Sequence, residues 1–97
     1  MNRALALNPK LTEAWVYRGA AWFDKQDYSR AIANFDEALR LNPRLADAYV
    51  NRGVARLMQG GLAEAEADFA RSQELGGTLK PEAERLWREV KERRAPR

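Results

Sequence analysis

Neither cysteine nor histidine occurs anywhere in this chain of 97 residues. The first absence excludes disulfides and thiolate metal sites, and leaves the compartment open. The second removes the commonest general base and the commonest metal ligand together. No apolar run reaches the roughly 18 residues that read as a membrane-spanning helix, so no membrane partner is expected. Met1-Asn2-Arg3-Ala4 lacks the apolar core of a secretion signal. These two absences favour the cytoplasm. There is also no glycine-rich phosphate loop leading to a lysine and no glycine-flanked serine elbow. Gly60-Gly61 has the look of a turn only. Glu64 and Asp68 share a helical face at i, i+4, but two acids on an exposed helix make a weak metal site. No enzyme, no cofactor and no metal are expected.

Charge of one sign is scarce outside the end of the chain. Residues 1–79 carry ten Lys/Arg and ten Asp/Glu, whereas residues 80–97 carry seven basic and four acidic side chains. The whole net charge of +3 therefore sits in the last stretch. Arg85, Arg88, Lys91, Arg93, Arg94 and Arg97 could meet phosphates. However, Glu82, Glu84, Glu89 and Glu92 are interleaved with them, and Glu84–Arg88 stands at i, i+4, as on an ordinary solvated helix. That pattern argues against nucleic acid.

What the chain does have is a period of thirty-four residues. Ala4-Leu5-Ala6-Leu7-Asn8-Pro9 recurs as Ala38-Leu39-Arg40-Leu41-Asn42-Pro43. Ala14-Trp15-Val16-Tyr17-Arg18-Gly19-Ala20 recurs as Ala48-Tyr49-Val50-Asn51-Arg52-Gly53-Val54, and Ala31 to Phe35 recurs as Ala65 to Phe69. Repeats of this length are helical units that cannot bury their faces alone and stack into a solenoid. Asn8-Pro9 and Asn42-Pro43 each close one helix and precede another. Thr12 is expected to cap a helix with Glu13 in its first turn, carrying the stripe Trp15, Arg18, Gly19 and Trp22 and ending near Lys25. Asp27 caps a second helix with the inner stripe Ala31, Phe35, Ala38 and Leu39. The second unit runs from Asp47 to Gln59 and, after Gly60-Gly61, from Leu62 to Leu75. Gly76-Gly77 supplies a left-handed helix end where Asn-Pro stood before. Pro81 opens a last helix with the apolar face Ala83, Leu86, Trp87 and Val90.

These residues resemble the tetratricopeptide repeat family, whose signature is W-x2-L-G-x2-Y, then A-x3-F, then a proline. The first unit matches at Trp15, Gly19, Trp22, Ala31, Phe35, Ala38 and Pro43, and departs mainly at Arg18. The second matches at Tyr49, Gly53, Ala65 and Phe69, and departs at Arg52, Arg56, Ser72 and Gly77. The resemblance implies an all-α, right-handed superhelical stack of antiparallel helix pairs. It implies a single domain over 1–97, with the end of a preceding repeat over 1–9, repeats over 12–45 and 46–79, a capping helix over 80–94 and a frayed tail over 95–97. Trp87 falls where the family's glycine sits, which argues against a third full repeat. Gly19, Gly53, Ala31 and Ala65 would permit close helix approach, with Phe35 and Phe69 filling the space between. Trp15 and Trp22 would be buried in the joints.

The family also lines its concave groove with the first helix of each pair. Carried onto this chain, the groove slots are Glu13, Val16, Tyr17, Ala20, Phe23 and Asp24, then Asp47, Val50, Asn51, Val54, Leu57 and Met58. The candidate partner site is Val16, Tyr17, Ala20, Phe23, Val50, Asn51, Val54 and Leu57. Its apolar centre suits a peptide or partner segment with apolar side chains, and Asn51 could hold that segment's backbone. Alternatively, the last helix or a neighbouring repeat covers these residues. Family members that grip a chaperone's terminal carboxylates use Lys, Asn and Arg in the groove. Here Asn51 matches one such slot, but Val16 and Val50 stand where lysine would help, and Ala20 and Val54 where a second asparagine would sit. That clamp is incomplete. The expected function is a protein–protein interaction scaffold. A second reading is a homodimer that buries the amino-terminal face of Trp15 and Trp22, which the short segment Asn2–Leu7 covers poorly.

Overall fold

The structure is a computed structural model that describes residues 9–77 and 81–94; it consists of helices and, among those residues, contains no strand. Helices α1 (Pro9–Asp24) and α2 (Tyr28–Leu41) form one hairpin, and α3 (Ala46–Met58) and α4 (Leu62–Glu74) form a second. The last helix, α5 (Pro81–Arg94), packs on α4 and α3. The expected helical stub over Asn2–Leu7 and the tail 95–97 lie outside the described residues.

Each hairpin turns on a left-handed residue just past its first helix. In the second, Gly60 has φ +86°, the Gly60 N–H donates to Leu57 O and the Gly61 N–H to Arg56 O. These two bonds satisfy carbonyls that the helix end would otherwise orphan. The first hairpin closes with the same pair of bonds, from Gln26 to Phe23 O and from Asp27 to Trp22 O. There the left-handed position is Gln26 at φ 64°, a conformation that a side chain disfavours. Asp27 caps α2 as its sequence position suggests, its carboxylate accepting the Arg30 backbone N–H at 3.1 Å. Thr12 does not cap α1. The helix already starts at Pro9, a residue suited to a first helical turn, and Thr12 lies inside it, buried.

The core repeats as the sequence does. Phe35 and Phe69 are 1% and 0% exposed, flanked by fully buried Ala31, Ala38 and Ala65. A Cβ on Gly19 would stand 2.5 Å from Phe35 Cε1, and one on Gly53 would stand 2.8 Å from Phe69 Cε1. The glycines therefore make room for a ring from the second helix of the same hairpin. At Gly77 a Cβ would come within 2.6 Å of Ala46 Cβ, so the second unit closes with glycine where the first has Pro43.

Beyond α4, Ala83 joins a buried cluster with Val50, Ala65 and Phe69, and Trp87 lies against Phe69 with ring centroids 5.9 Å apart. Thus α5 seals the open face of the second hairpin. The side chain of Val90 lies outside the described residues. Glu84 and Arg88 form no ion pair; Arg88 and Lys91 flank Trp87, with the Lys91 ammonium 4.5 Å from its ring. Trp15 and Trp22 differ from expectation too. Both are half-buried, and cations cover them: Arg18 lies 5.0 Å from the Trp15 ring, and Lys25 and Arg30 lie 5.5 and 4.6 Å from the Trp22 ring.

Candidate functional site

The site begins with α1 and α3, the first helices of the two hairpins, which lie side by side. Helical spacing puts Val16, Tyr17, Ala20, Phe23 and Asp24 along one stripe of α1, and Asn51 and Val54 along the matching stripe of α3. Two hollows open on this shared surface. One, of about 130 Å³, is lined by Ala20, Phe23, Asp24, Phe35, Asn51 and Val54. The other, of about 150 Å³, is lined by Glu13, Val16, Tyr17, Leu45 and Asp47. Six of the eight residues expected from the sequence are therefore gathered around two hollows.

The other two go elsewhere. Val50 is buried in the cluster that includes Ala83 of α5, and Leu57 packs against that cluster together with Trp87. Val54 also touches this cluster while still lining the first hollow. So α5 covers the part of the surface nearest the end of the stack, and the part on α1 stays open. Tyr17 is 69% exposed, an unusual state for a large ring with apolar neighbours. Phe23 is half-buried and meets Tyr28 edge-on at 5.2 Å, which fixes its ring beside the first hollow.

The charges are sorted as well. Glu13, Asp24 and Asp47 rim the two hollows, and no lysine or arginine lines either. None of these three carboxylates pairs with a cation among the described residues. Elsewhere some acids pair with an arginine one turn away: Asp27 with Arg30, Glu37 with Arg40, Glu74 with Arg71.

The largest polar feature is one the sequence did not reveal. Arg52, which reads as a departure from the repeat pattern, reaches across the stack. Its Nε and Nη2 donate to the two oxygens of Asp68 at 3.1 and 2.7 Å, and its Nη1 donates to Asp36 at 2.9 Å. Arg56, the other departure, donates to Asp68 at 3.2 Å. Burial alone would lower the Arg52 pKa, but the hydrogen bonds it donates to Asp68 and Asp36 outweigh it and push it above the usual arginine range. Asp68 is only 3% exposed, so its pairing with Glu64 on an exposed helix face does not exist. In the first hairpin the matching positions hold Arg18 and Asn34, and no such fork forms: Arg18 lies over Trp15, and the Asn34 amide donates to Arg30 O at 2.7 Å. Among the described residues no three acids cluster to hold a metal, and no helix is long and apolar enough to cross a membrane.

No curated protein matches the chain. A family model, TPR repeat, matches residues 19–60, which run from Gly19 in α1 through α2 and α3 to the Gly60 turn. Repeats of this family form non-catalytic scaffolds that mediate protein–protein interactions. Two glycine-on-phenylalanine hairpins offset by thirty-four residues, stacked through adjacent helix pairs and matched over residues 19–60 by that family model, support a tetratricopeptide-type repeat protein.

Proposed function

We propose that the chain holds a segment of a partner protein on the surface shared by α1 and α3. The observation that carries this reading is the hollow where Ala20, Phe23, Asn51 and Val54 converge, with the exposed ring of Tyr17 at the neighbouring hollow. Apolar side chains of the partner enter the two hollows, with Phe23 and Tyr17 as aromatic anchors and Asn51 bonding the segment's backbone. Val50 and Leu57 act from behind, setting the α3 wall through their packing against α5. Phe23→Ala is expected to weaken a peptide selected on the wild-type protein from a random display library by more than about 1 kcal/mol, with helix content unchanged. A selected peptide that binds the variant equally well removes Phe23 from the site.

A second reading is self-association through the face of Trp15 and Trp22, favoured by the incomplete burial of both residues. Molar mass by light scattering over a hundredfold range of concentration decides it: a constant monomer mass rules it out.

A further inference from the structure

The interaction surface also specifies the chemistry of what it holds. We infer that the occupant is a cationic, extended segment carrying two apolar side chains three residues apart, with a basic residue beside each. This rests on the groove reading above and adds charge and spacing to it. The charge follows from the rim. Asp24 stands at one hollow, Glu13 and Asp47 at the other, all exposed; among the described residues none of the three is paired and no cation lines either hollow. An apolar segment with acidic flanks would bring like charges together in a partly desolvated groove, whereas basic flanks neutralise the rim.

The spacing follows from the helix. Tyr17 at one hollow and Asp24 at the other are seven residues apart on α1, which is about 10 Å at 1.5 Å per residue. A polyproline II segment presents the same face every three residues, about 9 Å apart. A β-strand cannot, because its third residue points to the opposite side. A helix would reach with two turns, but its backbone groups are already bonded and would leave the amide of Asn51 with nothing to bind. The first hollow, about 130 Å³, suits a leucine-sized group: an apolar cavity of about 150 Å³ is known to take benzene.

The test uses two end-blocked peptides, Lys-Leu-Pro-Pro-Leu-Lys and Glu-Leu-Pro-Pro-Leu-Glu, titrated into the full chain and followed by amide chemical shifts. The lysine peptide is expected to shift Tyr17, Ala20, Phe23, Asn51 and Val54, about tenfold tighter than the glutamate peptide, and to weaken with added salt. Asp24→Asn and Asp47→Asn together are expected to erase most of that preference, while Phe23→Ala weakens both peptides alike. Equal binding of the two peptides at these residues overturns the charge inference and leaves the groove reading standing. Shifts confined to other surfaces, or no shifts with either peptide, overturn both. A salt-sensitive dimer of the free protein, seen by light scattering at the same concentration, would seat cationic side chains of a second copy on this rim and overturns the inference of an outside segment.

Discussion

Replacing Asp68 by Asn should destabilise the protein more than any other single isosteric polar change in the second hairpin. The substitution keeps the side-chain volume and removes the charge that three guanidinium N–H groups share, two from Arg52 and one from Arg56. Asp68 is 3% exposed, and the side chains of Arg52 and Arg56 are 17% and 28% exposed. Breaking a fully buried ion pair costs about 3–5 kcal/mol, largely because the abandoned charge stays buried. Here that cost is reduced in two ways. Arg52 keeps its bond to Asp36, which is half exposed, and Arg56 can turn to water. A loss of about 2 kcal/mol remains. For a chain of this size that lowers the melting temperature by roughly 10 °C. Urea unfolding followed by circular dichroism measures it, and an unchanged m-value shows that the fold itself is retained. A double-mutant cycle with Arg52→Gln should give a coupling above about 1 kcal/mol. A loss under about 0.5 kcal/mol, with no coupling, would mean that the fork is an ordinary solvated pair and that the reasoning from its burial is wrong.

Two further outcomes follow from the same geometry. Gln26→Gly should stabilise the chain by about 0.5–1 kcal/mol, since it relieves the left-handed backbone that Gly60 adopts without strain in the matching turn; a fall in the urea midpoint would show that the Gln26 side chain makes a contact worth more than the strain. Gly53→Ala should destabilise by about 1–3 kcal/mol despite the better helix propensity of alanine, because the new Cβ meets Phe69 at 2.8 Å and Asp68 Cβ at 3.1 Å; an unchanged midpoint would mean that the Phe69 ring shifts freely.

The sequence by itself determined the period, and the period determined most of the fold. Thirty-four residues with glycine in one helix and phenylalanine in the next force a hairpin, because only glycine leaves room for the ring. The turn chemistry was equally legible at Gly60-Gly61 and Gly76-Gly77, where two glycines can mean little else. It was silent at Gln26, since glutamine carries no turn preference and only its place in the stack holds it left-handed. The stripe of the candidate site was legible because helical spacing alone aligns Val16, Tyr17, Ala20 and Phe23. Its extent was not. Whether Val50 and Leu57 face a partner or a neighbour depends on where α5 lands, and that is decided by Ala83 and Trp87 finding Phe69 across the stack. The same holds for Arg52, Arg56 and Asp68. Along the chain they look like two departures from a pattern and a surface acid, because pairing between helices sixteen and twelve residues apart has no local signature. Local spacing fixes which side chains share a helix face; only the packing of one helix on another decides which of those faces still meets solvent.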